Sequence, residues 1–281
     1  MRILITGGKG MLGRTLVRRL VDHEIHIADL PEVDITRIAS FTAALSTCQP
    51  HVVIHAAAMT AVDRCESERD LAFTVNGLGS ANVAIACQRA GVRLIAISTD
   101  YVFPGDGDRP YHEGDAPGPR TVYGQSKLAG EEAVRAHCPD HVILRIAWLY
   151  GAGGPSFVHA MLKLGAATGA PVQVVDDQRG NPTSTEAVAT LMRHLIDMPI
   201  AGTVHATCEG EATWFALARA LWETKGFTRG LVPCTTAVFP RPAPRPANSR
   251  LEKRALRLYG LPPMPHWREA LDTFLKENPD G

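Results

Sequence analysis

Residues 1–13 have the sequence MRILITGGKGMLG. The apolar run at 2–6 is typical of a buried strand, and the amphipathic stretch that follows predicts a helix to about residue 21. The turn between them carries glycines that fit two phosphate-binding patterns, G-x-G-x-x-G and G-x-x-G-x-x-G: Gly7, Gly8, Gly10 and Gly13. Glycine allows a tight turn and a close approach to a pyrophosphate, to which the helix N-terminus offers free N–H groups. The stretch therefore predicts the start of a dinucleotide-binding fold, although a purely structural turn has the same pattern.

Strands and helices continue to alternate as far as about residue 150. Apolar runs at 25–28, 51–55, 92–98 and 142–146 are separated by helical stretches, among them a long helix expected at 67–90 and another from about residue 122 to residue 137. This alternation predicts a parallel sheet with helices on both faces. After a break at 153–155 the elements are shorter. We therefore predict an α/β fold, a Rossmann-like doubly wound parallel sheet. Residues 1–150 are expected to form a nucleotide-binding domain, and residues 151–281 a smaller α/β substrate lobe.

The stretch from Ser98 to Lys127 predicts the chemistry. An apolar run ends there in Ser98-Thr99-Asp100-Tyr101, at the position where open parallel sheets place ligands. Tyr123 and Lys127 are four residues apart, on one helix face. A lysine there is expected to lower the pKa of the phenol. The stretch predicts a site that holds a carbonyl oxygen and transfers a proton, although the Tyr/Lys pair alone also fits a surface helix.

Composition excludes several classes of protein. The formal net charge of the 281 residues is zero, so no basic footprint for nucleic acid is present. No apolar run is long enough to span a bilayer, and no signal peptide is recognised. Six cysteines are scattered without metal-ligand spacing, which favours reduced thiols in the cytoplasm. No metal is predicted, and no membrane or nucleic-acid partner is expected.

Two acidic residues are candidates for cofactor contacts. Asp29 ends the second predicted strand, where a ribose 2′-hydroxyl is received, and an acid there favours NADH. Lys9 and Arg14 are near in sequence and leave NADPH open. Asp34 fits either a helix cap or an adenine contact. Residues 103–120, rich in Pro, Gly and acids, form a loop long enough to be a substrate flap.

Six motifs together carry a family resemblance that covers nearly the whole chain. The chain resembles the dTDP-4-dehydrorhamnose reductases of the extended short-chain dehydrogenase/reductase superfamily, through the glycine turn and the segments Ala56–Asp63, Ser98–Gly105, Tyr123–Glu131, Arg145–Tyr150 and Arg245–Leu251. The Ser-Thr-Asp-Tyr-Val-Phe block at 98–103 is more discriminating than the glycine turn.

The resemblance implies a reaction and roles for individual residues. The reaction is NAD(P)H-dependent reduction of C4 of dTDP-4-dehydro-L-rhamnose, the last step of dTDP-L-rhamnose synthesis. Tyr123 protonates the forming alkoxide, and Lys127 binds the nicotinamide ribose. Thr99 holds the carbonyl oxygen, and Asp100 holds a sugar hydroxyl.

The same resemblance implies further binding residues. In addition to Tyr123 and Lys127, those expected at the cofactor are Gly7, Gly10, Met11, Leu12, Gly13, Asp29, Asp34, Ile35, Ala56, Ala57 and Ala58. In addition to Thr99 and Asp100, those expected at the nucleotide-sugar substrate are Val62, Asp63, Tyr101, Trp148, Arg245 and Asn248. The protein is expected to be a monomer or a homodimer. Some relatives use an acid in a Mg²⁺-linked dimer contact where this chain has Thr15, so that contact is not expected.

Three alternatives share these motifs. One is a reductase of another dTDP-4-keto-6-deoxy sugar. A second is a 4,6-dehydratase, which carries Asp-Glu where this chain has Asp100-Tyr101, so dehydration is disfavoured. A third is a non-catalytic homologue similar to the regulatory subunit of methionine adenosyltransferase.

Overall fold

The structure is a computed structural model that describes residues 1–278. The strands, in chain order, are β1 Arg2–Thr6, β2 Glu24–Ala28, β3 Val52–His55, β4 Arg93–Thr99, β5 His141–Ile146, β6 Leu149–Tyr150, β7 Val172–Val175, β8 Arg179–Gly180, β9 Thr183–Ser184, β10 Gly202–His205, β11 Ala212–Thr213, β12 Leu231–Cys234 and β13 Asn248–Ser249. The α-helices are α1 Met11–Arg19, α2 Ile38–Cys48, α3 Val62–Ser67, α4 Arg69–Ala72, α5 Gly79–Ala90, α6 Val122–His137, α7 Phe157–Ala166, α8 Thr185–Asp197, α9 Trp214–Lys225, α10 Arg254–Leu258 and α11 Trp267–Glu277.

The main sheet has the strand order β10-β5-β4-β3-β1-β2, and every pairing in it is parallel. The predicted Rossmann-like parallel sheet is therefore confirmed. Apolar side chains of its strands are buried on both faces, with Ile3, Ile5 and Ile54 fully covered. This double burial explains why the strand sequences read as continuous apolar runs.

The sheet places its functional ends on one edge. The strand order reverses beside β1, and β1 and β4 end in Thr6 and Thr99. Because the strands are parallel, the loops that follow them meet at the same edge. This edge carries the glycine turn, the loop after β3 and the segment that begins at Asp100.

The region after residue 150 returns to the main sheet. Strand β10 pairs with β5, and α8 packs on α1, where the hydroxyl of Thr15 donates to that of Thr185 at 2.9 Å. One apolar core includes both Ile3 and Leu275. The sheets of order β11-β8-β13 and β12-β7 lie in the second region, and β6 pairs with β9 across residue 150. The division at residue 150 stays a prediction, but the two regions share a core.

Two local expectations need correction. The long helix expected at 67–90 is interrupted, because a π-helical segment at Phe73–Leu78 joins α4 to α5. Asp34 does not cap a helix: α2 is preceded by Arg37, whereas the Asp34 carboxylate accepts hydrogen bonds from the N–H and hydroxyl of Thr36. Within residues 1–278 no helix is both long and apolar enough to cross a membrane.

Candidate active site

A cavity of about 630 Å³ opens at the carboxyl edge of the main sheet. Every residue that the sequence assigned to the cofactor lines this cavity: Gly7, Gly10, Met11, Leu12, Gly13, Asp29, Asp34, Ile35, Ala56, Ala57, Ala58, Tyr123 and Lys127. Five of the predicted substrate residues line it as well: Val62, Thr99, Asp100, Tyr101 and Trp148. Of the predicted substrate residues, Asp63, Arg245 and Asn248 do not line it.

The glycine turn can be built only from glycine at two positions. Gly7 has a φ of +68°, and a Cβ on it would lie 2.7 Å from the backbone nitrogen of Ala57. A Cβ on Gly13 would lie 2.2 Å from the carbonyl oxygen of Gly7. The turn therefore packs tightly against the start of α1, whose N-terminus faces the cavity through Met11 and Leu12. This geometry fits a pyrophosphate.

Asp29 lies at the edge of the cavity, and both of its carboxylate oxygens are engaged. One accepts from the N–H of Lys9 at 2.9 Å, and the other from the N–H of Leu30 at 2.9 Å. Asp29 thus fixes the glycine turn against the end of β2. The Lys9 ammonium is bound to Glu32 and to the carbonyl of Leu30. Because the Lys9 ammonium is already paired, it is less available to bind a 2′-phosphate.

Thr99 and Asp100 follow β4 and are both buried. The Thr99 hydroxyl donates to Oδ1 of Asp100 at 3.0 Å and accepts from the N–H of Tyr101. Oδ2 of Asp100 is buried without a hydrogen-bond partner in the protein. Burial raises the pKa of Asp100 to about 6, although the nearby hydroxyls of Ser249 and Thr99 oppose the rise. A buried carboxylate oxygen without a partner is a ready acceptor for a ligand hydroxyl.

Tyr123 and Lys127 project from the first turns of α6, which begins after the capping residue Thr121. The expected lowering of the Tyr123 pKa is wrong for this structure. Burial raises the pKa of the phenol well above its usual range, although the Thr99 hydroxyl, which hydrogen-bonds the phenol, lowers it in part. The Lys127 ammonium instead donates to the carbonyl of Ile97 at 2.8 Å. Tyr123 is therefore protonated at neutral pH, the form that a proton donor needs.

A buried ion pair lies one helical turn beyond Lys127. Glu131 accepts two hydrogen bonds from Arg145, at 2.8 and 2.7 Å, one from Ser98 at 2.6 Å and one from Arg135 at 2.7 Å. Burial lowers the pKa of Lys127 to about 8, and the Glu131 carboxylate opposes that change. The pair thus helps the lysine to keep its charge.

Asn76 is a site-supporting residue to which the sequence analysis gave no role. It lies in the π-helical segment and is buried. Its side chain accepts from the N–H of Met59 and donates to the Met59 carbonyl and the Ser126 hydroxyl. Asn76 therefore ties the loop after β3 to the helix that carries Tyr123 and Lys127. Short π-helical segments are frequent at functional sites, but this one is visible only in the structure and not in the sequence.

A second cavity, of about 640 Å³, adjoins the first. Tyr101 and Trp148 line both cavities. The walls of the second are mostly apolar or aromatic, and its charged groups are Arg241 and Arg245. Among its lining residues, Trp214 was missed by the sequence analysis because it lies in no recognised motif.

The remaining predicted substrate residues hold the segment 239–250 in place. Arg245 donates to Asp63 at 2.8 Å, and the N–H of Ala243 also donates to that carboxylate. Partial burial raises the pKa of Asp63, but Arg245 and Ala243 lower it on balance. Arg245 still lines the second cavity, whereas Asp63 lines neither.

Asn248 is buried away from both cavities. Its amide nitrogen donates to the carbonyls of Gly107 and Arg109, and its oxygen accepts from Arg250. These bonds fasten the 103–120 loop, and Tyr111 adds backbone bonds to 250–252. The position of Asn248 thus gives no support to the predicted substrate contact. The proposed flap is tied down along this part of its length.

The fold and the site define a class of protein. A Rossmann-like sheet that presents a glycine turn, a Thr at the end of β4 and a Tyr/Lys pair on α6 is the arrangement of an extended short-chain dehydrogenase/reductase. A family model described as "RmlD substrate binding domain" matches residues 1–279. The chain belongs to this family.

Individual relatives agree with this assignment. A dTDP-4-dehydrorhamnose reductase of Streptomyces griseus is 46% identical over 279 residues, which cover 96% of this chain and 91% of the relative. A probable dTDP-4,6-dihydroxy-2-methyloxan-3-one 4-ketoreductase of Streptomyces antibioticus is 44% identical, covering 99% and 98%. The dTDP-4-dehydrorhamnose reductase of Bacillus anthracis, solved in complex with NADP, superposes with a TM-score of 0.96 at 38% identity, covering 98% and 99%.

Proposed function

We propose that this protein reduces the C4 keto group of dTDP-4-dehydro-L-rhamnose to give dTDP-L-rhamnose, with NADPH or NADH as cofactor. The observation that carries the proposal is the cluster of Thr99, Asp100 and Tyr123 beside the glycine turn. Relatives that align over nearly the full length bear the name of this activity.

The cofactor cavity accommodates a dinucleotide. The glycine turn holds the pyrophosphate. Asp34 and Ile35, which follow β2 in the chain, also line the cavity. Lys127 binds the nicotinamide ribose. The nicotinamide supplies the hydride when bound, and the protein supplies position and charge. Asp29 favours an unmodified ribose, whereas the relative from Bacillus anthracis binds NADP, so both cofactors belong in the assay.

The protein groups that act on the sugar are Thr99, Asp100 and Tyr123. When the sugar binds, the Thr99 hydroxyl turns its one proton from Oδ1 of Asp100 to the keto oxygen and so keeps that oxygen near the phenol of Tyr123. Hydride addition places negative charge on that oxygen, and the protonated phenol transfers its proton there. Oδ2 of Asp100 accepts a neighbouring sugar hydroxyl, which satisfies its missing hydrogen bond.

The nucleotide half of the substrate occupies the second cavity. Because Tyr101 and Trp148 line both cavities, a ligand that passes between them spans the two. Arg241 provides positive charge that a diphosphate requires, and the Arg245 guanidinium lines the same cavity while it is paired with Asp63. The six cysteines are free, which agrees with the predicted cytoplasmic location.

A second candidate is reduction of a different dTDP-4-keto-6-deoxy sugar. The 44% identity to the Streptomyces antibioticus 4-ketoreductase favours it. Both reactions use the same acid and cofactor, so the sugar pocket distinguishes them. Dehydration is disfavoured because Tyr101, whose ring packs edge-on against Tyr123 at 5.4 Å, occupies the position of the dehydratase Glu.

The test supplies purified protein with enzymatically made dTDP-4-dehydro-L-rhamnose and follows oxidation of NADPH and of NADH. Tyr123→Phe is expected to lower kcat about 10²–10⁴-fold, because it removes the acid. Tyr150→Phe is the matched control, since the Tyr150 hydroxyl is buried without a hydrogen-bond partner and Tyr150 lines neither cavity. NMR of the product identifies the sugar.

Two results would contradict the proposal in different ways. Full activity of Tyr123→Phe would remove the assigned acid. If the protein bound either cofactor but did not oxidise it in the presence of this sugar, the substrate assignment would be contradicted. Another keto sugar or a non-catalytic regulatory role would then be favoured.

A further inference from the structure

Trp148 has a backbone conformation that L-residues rarely adopt. Its φ is +49°, and among residues 1–278 only Gln49 is another non-glycine residue with a positive φ. Gln49 terminates a helix, whereas Trp148 lines both cavities. A strained residue persists only where its surroundings hold it firmly.

The indole of Trp148 is held between two neighbours. The Trp214 ring stacks on it with centroids 3.5 Å apart and planes at 7°. Gly180 packs against the indole so closely that a Cβ there would lie 2.3 Å from Cε2. The carbonyl of Trp148 accepts from the N–H of Thr183 at 3.2 Å, which fixes the strained backbone as well.

Trp214 is itself oriented by hydrogen bonds. Its indole N–H donates to Oε1 of Gln178 at 2.9 Å, and the amide nitrogen of Gln178 donates to the Thr236 hydroxyl at 2.9 Å. That hydroxyl donates to Asp177 at 2.6 Å. Phe157 packs on the ring, with centroids 4.5 Å apart. The polar loop at 177–183, which has no part in the chemistry above, thus provides Gln178 and Gly180 on two sides of the stacked pair.

We propose that Trp214 is a positioning residue for substrate binding: it fixes the Trp148 indole at the boundary between the two cavities, so that the sugar meets a preset aromatic surface. The inference rests on the proposed function, because it assigns the sugar to that boundary. Trp214 acts through Trp148, and so its loss weakens binding of the nucleotide sugar. Cofactor affinity stays unchanged, since Trp214 does not line the cofactor cavity.

Two variants disturb the pair from opposite sides. Trp214→Leu removes the stacking ring and its N–H but keeps an apolar side chain. Gly180→Ala keeps all four tryptophans in the sequence but displaces the Trp148 indole by direct overlap. Trp222→Phe is the control on the same helix, because Trp222 packs edge-on against Phe227 and lines neither cavity. Trp214→Phe retains a ring and is expected to rescue part of the effect.

The readouts separate positioning from general damage. Two stacked indoles give an exciton couplet in circular dichroism, which requires no substrate. Trp214→Leu and Gly180→Ala are expected to lose the couplet and to raise the KM for the keto sugar about tenfold, the loss that matches one aromatic stack. The kcat and the Kd for NADPH are expected to stay near wild type, as for lost uniform binding.

Three results would overturn the inference. The first is loss of the couplet with an unchanged KM, and the second is a couplet that persists in Gly180→Ala. The third is an equal loss of NADPH affinity, which means general damage. A wild-type protein that shows the couplet and binds NADPH but reduces no keto sugar contradicts the proposed function instead, and removes the substrate assignment on which the role of Trp214 rests.

Discussion

At the scale of single residues, Asp100 is a case where function and stability conflict. Its carboxyl is buried, and only one of its oxygens is hydrogen-bonded. Its pKa is raised from 3.8 to about 6. The folded state therefore binds this proton more tightly than the unfolded chain does, and ionisation costs stability as the pH rises from about 4 to about 6. A sugar hydroxyl bound to the free oxygen would offset that cost.

Asp100→Asn is therefore expected to stabilise the unliganded protein at neutral pH, by roughly 1–3 kcal/mol. Urea unfolding at several pH values measures the effect. The advantage over wild type is expected to be small near pH 4, to grow to about pH 6 and to stay constant above it. The same variant is expected to have a higher KM for the keto sugar.

Asp115→Asn provides a control of opposite sign. The guanidinium of Arg109 lowers the pKa of Asp115, so loss of that carboxylate is expected to destabilise the protein at neutral pH. An Asp100→Asn protein less stable than wild type at every pH would contradict the assigned origin of the pKa shift.

The sequence predicted which residues form the site better than it predicted the pKa values of their side chains. The motifs located Thr99, Tyr123 and Lys127, and the structure brings all three to one cavity. The direction of the Tyr123 pKa shift was wrong because it depends on burial and on the atom to which Lys127 points. The four-residue spacing between Tyr123 and Lys127 determines neither the burial of the phenol nor the atom to which the lysine donates. Trp214 was missed for a related reason, since its partner Trp148 is 66 positions away in the chain.

At the scale of elements, the glycine turn gives the sharpest prediction. A Cβ on Gly13 would lie 2.2 Å from the Gly7 carbonyl oxygen and 2.6 Å from Cα of Gly8. Gly13→Ala is therefore expected to open the turn, with a loss of about 1–3 kcal/mol in unfolding free energy. The Kd for NADPH is expected to rise at least about tenfold, because the amides move away from the pyrophosphate.

The matched control for the turn is Gly114→Ala. Gly114 is exposed, and a Cβ there would approach the His112 ring only to 3.4 Å. Fluorescence titration with NADPH and thermal unfolding are the two measurements. If Gly13→Ala bound NADPH as tightly as Gly114→Ala does, the turn would not be the pyrophosphate site.

Strand and helix positions followed from apolar periodicity because the sheet is buried on both faces. The predicted helix near residue 122 is observed as Val122–His137. Irregular elements could not be predicted in the same way. The π-helical segment at Phe73–Leu78 arises where Asn76 bonds Met59 and Ser126, and the tight turn of Asp34 onto Thr36 replaces a helix cap. Both depend on particular side-chain bonds, and neither changes the period of the apolar residues.

At the scale of the whole molecule, the contacts between the two predicted regions are extensive. Strand β10 extends the main sheet, and Arg93 donates from its guanidinium to the carbonyls of Leu195 and Ile200. Glu186 of α8 forms ion pairs with Arg18 and Arg19 of α1. The sequence located a change of pattern after residue 150, but it could not show that the chain returns to the first sheet.

We therefore expect the two regions to unfold together. Tryptophan fluorescence reports mainly on the second region, since Trp214, Trp222 and Trp267 lie within it and Trp148 stacks on Trp214 from the end of the first, whereas NADPH binding reports on the first region. Urea titration is expected to give coincident midpoints for both signals, which is the behaviour of one cooperative unit. A fragment of residues 1–150 is expected not to bind NADPH, because it lacks β10 and α8 and exposes the core that they cover. NADPH binding that survives loss of the tryptophan signal, or a fragment that binds with the affinity of the full chain, would show that the first region folds independently.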